Sequence, residues 1–261
     1  MNWLIQTAFI PFNNVRKVWD TVISSGGEPY EAILFKDSDE IQFPELLKDD
    51  NNIVVYGSTR LSKFARQNGW NGSFLNDNFN VNTWQGNSND MLNNFSMEFP
   101  LSCIPAVLKS LELRKTFMRP VVGSKIFNGG TFNYASVVEL LETVDGDTMV
   151  SISPLTTIYE EYRFFIVDRK VISGSLYRKD DTPIRQLVTS NDILDIAQRF
   201  ADRWLPHDCC VMDIALTSTN ERSQKYFKII EFNCLNSSGF YDCDVSKIIN
   251  AVNQYMSKYI K

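Results

Sequence analysis

Two long strand–turn–strand patterns dominate the C-terminal half of the chain, EYRFFIVDRKVISGSLYR and CCVMDIALTSTNERSQKYFKIIEFN. Each sets β-branched and aromatic runs on either side of a polar, turn-forming centre, which predicts a β-hairpin. The helical pattern Ile193 to Trp204 separates them, and a last helix is predicted from about Val245 to Tyr259. The N-terminal part alternates differently. A strand at residues 2–9 is followed by apolar residues at helical spacing (Val15, Val18, Trp19, Val22) that stop at Gly26-Gly27, then by strand-like runs at Ala32 to Phe35 and Ile53 to Tyr56. The class is therefore α/β, with an α+β C-terminal portion. From Gly69 to about Asn94 the chain is crowded with Asn, Gly, Asp and Ser, so a loop closes the first module there. A helix over Ile104 to Lys115, the strand TFMRP, a Gly-containing connection VVGSKIFNGG and the strand MVSIS, broken by Pro154, fill the middle.

Composition excludes several function classes. In 261 residues, 26 Lys plus Arg face 31 Asp plus Glu, giving a net charge of −5 and no global field for a nucleic-acid backbone. The five cysteines are odd in number and lack paired CxxC motifs, so reduced thiols are expected in place of disulfides or zinc ligands. The apolar start MNWLIQTAFIPF has no basic residues ahead of it and is broken by Gln6, Pro11 and Asn13, which disfavours export and membrane anchoring and points to the cytoplasm. With one histidine, His207, in the chain, chemistry falls to carboxylates, amides, lysine and arginine.

The strongest chemical signal is EFN. Strand alternation puts Glu231 and Asn233 on one face, roughly 6.5–7 Å apart, offering a carboxylate and an amide oxygen to a hard cation such as Mg²⁺. In the preceding strand Asp213 interrupts an apolar run, where an unpaired carboxylate is unfavourable. Residues 213 and 231 are equidistant from Arg222 in the turn-like TSTNERSQ, so a regular hairpin sets Asp213 across from Glu231. Such convergence suits a metal–phosphate site; the alternative is a hydrogen-bonded Asp and an unrelated exposed Glu. A second group is cationic. Arg119 ends TFMRP, and Lys125 lies in a loop closing with Gly129-Gly130, which either cradles phosphate or is simply a turn. In the first hairpin, a two-residue turn around Asp168 to Lys170 places Arg163 and Arg178 on one face with Phe165 and Val167, packed by their stems or aimed at an anion.

In chain order, RPVVGSKIFNGG, MVSISPL, YEEYRFFIV with SLYR, VMDIAL and EFNCLNSSGF resemble the ATP-grasp superfamily over roughly Arg114 to the C-terminus. Within it the chain looks closest to a poorly characterised branch of bacteria and their phages, marked by retained arginines and a single loop lysine. The resemblance implies an ATP-grasp core of two subdomains, 96–155 and 156–261, preceded by a small α/β module at 1–95. It implies ATP and Mg²⁺ as cofactors, with Asp213, Glu231 and Asn233 as metal ligands. Arg119 falls where many members carry a phosphate-binding lysine, Lys125 on the second cationic position, and Arg163 and Arg178 near the phosphates or the acceptor. The segment Met149 to Glu160, including Ser151, Ser153, Leu155 and Glu160, matches the hinge that reads adenine. The Gly-rich loop is short for the family. The implied activity is ligation of a carboxylate to an amine through an acyl phosphate, releasing ADP and phosphate, with Arg163, Arg178 and Lys125 acting on the phosphates. A kinase on the same fold, or a nucleotide-binding interaction module without turnover, are the alternatives. The acceptor and donor, small molecule or peptide, carry no legible motif, and a homodimer is the default assembly.

Overall fold

The computed structural model describes residues 1–8, 12–35, 40–121, 126–218 and 224–259. The chain divides into two compact units: Met1–Asp90 with Ile158–Leu216 and Phe227–Lys261, and Met91–Thr157 with Thr217–Tyr226. The mixed α/β class predicted from the sequence is the one observed.

The chain opens with β1 (Asn2–Gln6), α1 (Phe12–Ser24), β2 (Glu28–Leu34), β3 (Ile41–Gln42), β4 (Ile53–Tyr56), α2 (Thr59–Gln67) and α3 (Val81–Asn87). The sheet order is β3-β2-β1-β4, with β1 parallel to both β2 and β4. Parallel strands are covered on both faces, which explains why all four residues of IVVY are buried. Leu4 and Val55 enter one core with Leu61 and Ala65 of α2, whereas Trp3, Ile5, Val54 and Tyr56 enter another with Val15, Val18 and Val22 of α1. The Asn-rich stretch predicted as loop contains α3. Asn80 caps it by accepting from Thr83 N, and Trp84 is buried against Phe232, so one cap and one large apolar side chain outweigh weak helix propensity.

The middle elements are β5 (Met97–Pro100), α4 (Ile104–Ser110), β6 (Thr116–Pro120), β7 (Gly130–Phe132), α5 (Tyr134–Leu140) and β8 (Met149–Ser153). They build an antiparallel sheet of order β5-β8-β6-β7. Met118, Val150 and Ile152 face Leu101, Ile104, Leu108 and Val137 in the core of this second unit. The helix predicted to reach Lys115 stops at Ser110, because Glu112 turns the chain with φ 53°.

Last come β9 (Thr157–Val167), β10 (Lys170–Lys179), β11 (Thr182–Leu187), α6 (Asn191–Arg203), β12 (Cys210–Ser218), β13 (Tyr226–Asn233) and α7 (Val245–Met256), with sheet order β11-β10-β9-β12-β13. The predicted two-residue turn joins β9 to β10 through Asp168 and Arg169, both at positive φ (53° and 62°) as a type I′ hairpin requires. A second positive-φ pair, Asp180 and Asp181, starts β11, an edge strand whose Pro183 weakens its strand signal in the sequence.

Phe165, Val167 and Val211 of this sheet join Val245, Ile248, Ile249 and Val252 of α7 in the same core as Trp3 and α1. Trp3 Nε1 donates to Asn253 Oδ1 at 2.8 Å. A second tie is Asn236, fully buried just after β13. Its Nδ2 donates to Val55 O (2.7 Å) and Gly72 O (2.9 Å), its Oδ1 accepts from Phe74 N (2.7 Å), and its own carbonyl accepts from Gly57 N (2.8 Å). Gly72 is required beside it, since a Cβ there would lie 2.2 Å from Ile53 O and 2.4 Å from Val54 Cα.

Candidate active site

Along β9 the residues Val167, Phe165, Arg163 and Glu161 alternate onto one face of the sheet. Phe165 and Val167 enter the core with Val211 of β12, and two residues further along β12 stands Asp213. The same face is thus apolar at one end and ionic at the other. Arg163 grips Asp213 with two parallel hydrogen bonds, Nε to Oδ1 at 2.9 Å and Nη2 to Oδ2 at 2.7 Å, and its Nη1 donates to Gly239 O at 3.3 Å. The Asn233 Nδ2 group donates to Glu231 Oε1 at 3.0 Å and lies 3.5 Å from Asp213 Oδ2. Asp213, Glu231, Asn233 and Arg163 are thereby brought together by three adjacent strands.

Both members of the ion pair are withdrawn from water, with 13% of the Arg163 side chain and 3% of Asp213 exposed. Burial pushes the Asp213 carboxyl up to about 6, opposed by Arg163 and reinforced by Glu231, so it remains ionised at neutral pH. Burial also opposes the Arg163 charge, but Asp213 outweighs it and the guanidinium stays protonated. Around this pair lie residues with no motif of their own. Tyr177 donates its hydroxyl to Glu161 Oε2 (2.7 Å), Arg178 Nη1 pairs with Glu161 Oε1 (3.2 Å), and the Tyr177 and Tyr241 rings stack at 5.0 Å and 11°. Burial raises the Tyr177 phenol well above its ordinary range and keeps it a donor. The alternation that paired Arg163 with Phe165 also carries Glu161 to this face, a signal present in the sequence but passed over. Arg178 therefore reaches the cluster through Glu161, helped by a β-bulge between Leu176 and Arg178. Glu160 points to the opposite face of β9, bonded to Tyr162 and paired with Lys179 at 2.9 Å.

In the second unit the β6–β8 register sets Arg119 opposite Ser151 and Phe117 opposite Ser153, so these four share the face turned away from Met118 and Ile152. Ser151 and Ser153 are buried; the Ser153 carbonyl accepts from Thr116 Oγ1 (2.8 Å) and its hydroxyl bonds to Asn93 Oδ1 (3.1 Å). Gly129 approaches Arg119 closely, since a Cβ there would sit 3.1 Å from the arginine Cβ. Leu155 is exposed. Lys125 lies outside the described residues.

Among the described residues there is no group of three His, Cys, Asp or Glu that could hold a metal; the cluster offers two carboxylates and one amide. That donor set still fits Mg²⁺, which prefers hard oxygen and takes few ligands from protein beside phosphate and water. The Asn233 N–H group between Glu231 and Asp213 shows that the two carboxylates direct lone pairs to one place, which is what a cation needs. His207 serves packing instead: its Nδ1 accepts from Cys209 N (2.9 Å) and its ring lies 5.6 Å from Phe74.

A fold of this kind, with Asp and Glu-x-Asn on adjacent strands, defines an ATP-grasp protein. Residues 104–251 match the profile of an ATP-grasp domain family, the second family of its clade, and the chain belongs to that family. Comparison with curated proteins by sequence gave no match. Among solved structures, the D-cycloserine synthetase DcsG is similar at TM-score 0.64 and 10% identity, over 100% of this chain and 99% of that one. The ATP-grasp ligase PsnB, solved with its minimal precursor, is similar at TM-score 0.59 and 13% identity, over 98% of each chain. D-alanyl-alanine synthetase A from Vibrio cholerae is similar at TM-score 0.60 and 10% identity, over 99% of both. At such identities the likeness is one of fold. No helix of the described residues is long and apolar enough to cross a membrane.

Proposed function

We propose that the protein is an ATP-dependent carboxylate–amine ligase. The observation that carries this reading is the convergence of Asp213, Glu231 and Asn233 beside Arg163 at the ionic end of one sheet face, in a chain of the ATP-grasp family. Asp213, Glu231 and Asn233 would hold Mg²⁺, which when bound neutralises charge on the β- and γ-phosphates of ATP. Arg163 keeps Asp213 ionised and oriented. Arg119 and Lys125 are the cations assigned to the phosphates, with Ser151, Ser153 and Leu155 on the adenine side. For Arg178 and Glu160, the ion pairs with Glu161 and Lys179 favour orienting roles over direct contact with phosphate.

The acceptor carboxylate oxygen attacks the γ-phosphorus and the bond to the β–γ bridging oxygen breaks, giving acyl phosphate and ADP. The amine nitrogen then attacks the acyl carbon, releasing inorganic phosphate and one proton. Every role is positioning or charge stabilisation, so no protein nucleophile is needed. PsnB and the macrocyclase MdnC were solved with precursor peptides, which supports a peptide acceptor; the synthetases among the similar structures support an amino-acid-like one. The site belongs to a cytoplasmic, bacterial or phage protein in this reading, acting as a monomer or homodimer.

The test is product analysis with a panel of peptides and amino acids. ADP and phosphate are expected, with a hydroxamate when hydroxylamine replaces the amine. AMP and pyrophosphate would remove the mechanism, and a stable phosphorylated alcohol would assign a kinase. Glu231→Gln retains the fold and loses the reaction; metal affinity is expected to fall about 10–100-fold or more, the effect of disturbing even a supporting residue.

A further inference from the structure

Tyr241 occupies a backbone position suited to glycine. Its φ is 49°, a left-handed conformation unfavourable for an aromatic residue, and Gly239, two positions earlier, supplies no such positive φ. The surrounding chain holds it there from both sides. Phe240 stacks on Phe165 (4.8 Å, 13°), Asp242 N donates to Ser175 Oγ (3.3 Å), and Asp244 N donates to Ser173 Oγ (2.8 Å). The effect of this unfavourable backbone is to bring one ring against one cation: Arg163 Cζ lies 4.9 Å from the Tyr241 ring centroid, and 5.9 Å from that of Tyr177. A guanidinium attracted to an aromatic face loses freedom to rotate about its own stem. The plane left to Arg163 is the one in which its Nε and Nη2 meet both Asp213 oxygens. The Tyr241 hydroxyl bonds to none of the described residues, so the ring alone is used.

We propose that Tyr241 is a positioning residue: through Arg163 it sets the orientation in which the Asp213 carboxylate faces Glu231 and Asn233, and so governs metal affinity at that site. The proposal rests on the metal-dependent reading of the site given above. Residues that orient metal ligands typically change affinity by about 10–100-fold when lost.

The experiment measures Mn²⁺ bound in the presence of ADP, by electron paramagnetic resonance on the full chain, for wild type, Tyr241→Phe, Tyr241→Gly and Tyr241→Leu. Tyr241→Phe keeps the ring and is expected to keep wild-type affinity. Tyr241→Gly relieves the backbone and removes the ring, so it is expected to melt at or near the wild-type temperature while its Mn²⁺ dissociation constant rises about tenfold or more. Tyr241→Leu retains bulk and strain without a π-face and is expected to show the same weakening, which keeps the test decisive if the glycine variant does not fold. Wild-type affinity in either the Gly or the Leu variant overturns the proposal, as does loss of affinity in Tyr241→Phe. If wild type itself binds no Mn²⁺ with ADP, the metal-dependent reading fails first, a result distinguishable from failure of Tyr241 alone.

Discussion

Replacing Asn236 with alanine removes the three side-chain hydrogen bonds that tie the segment after β13 to the N-terminal sheet. The carbonyls of Val55 and Gly72 and the Phe74 N–H then face a small void in a buried region. Each group left unpaired costs about 1–3 kcal/mol, and partial relaxation brings the expected loss to about 4–6 kcal/mol. Against a total of about 5–15 kcal/mol, that is a large fraction of the stability of an ordinary domain. Asn236→Asp separates shape from chemistry: it preserves volume and the acceptor for Phe74 N–H but sets an oxygen against two carbonyl oxygens. It should therefore destabilise strongly although nothing is truncated. All five tryptophans (Trp3, Trp19, Trp70, Trp84, Trp204) lie in the first unit, so urea unfolding followed by tryptophan fluorescence reports on the unit affected. A loss under about 1 kcal/mol in both variants would refute the clamp, because burial without pairing cannot be that inexpensive.

Gly72→Ala places its Cβ against two backbone atoms that cannot move without shifting β4, and a loss of about 3 kcal/mol or more, read as a fall in the urea midpoint, is expected. Asp213→Asn leaves the Arg163 guanidinium buried without its counter-charge and should cost about 3–5 kcal/mol; the double variant Arg163→Met with Asp213→Leu should recover most of that in unfolding experiments while remaining inactive. Burial lowers the His207 pKa below its ordinary 6.5, so the folded state holds the ring neutral. Its contribution is complete above pH 6.5 and is lost as pH falls toward the lowered value, and a pH series of urea midpoints should show a shallower acid decline in His207→Asn.

The sequence was most legible where one physical rule acts alone. Strand alternation located Glu231 with Asn233 and placed Arg163 on the face of Phe165, and the turn at Asp168 followed from hairpin chemistry. The pairing of Arg163 with Asp213 was not legible, because it depends on β12 lying beside β9, a neighbour relation that no local pattern encodes. Arg178 was read as a phosphate ligand because the bulge at residue 177 and its ion pair with Glu161 are tertiary facts. For the same reason α3 was missed, since it depends on Trp84 finding Phe232 far along the chain. Asn236 stood within a motif already singled out, yet its four partners lie more than 150 positions away, beyond any spacing argument.

The core that joins Trp3, α1, β12 and α7 has a consequence for how the chain is made. Distant parts of the sequence meet at the Trp3–Asn253 hydrogen bond, 250 positions apart. During synthesis the first ninety residues emerge early, yet Val18, Val22 and Trp3 have no apolar partner from α7 until that helix has left the ribosome. Residues 91–157 carry nearly all of the second unit's core and can assemble while the first unit waits. The order of folding thus inverts the order of emergence, and a nascent chain halted before Val245 exposes the apolar face of α1 to chaperones.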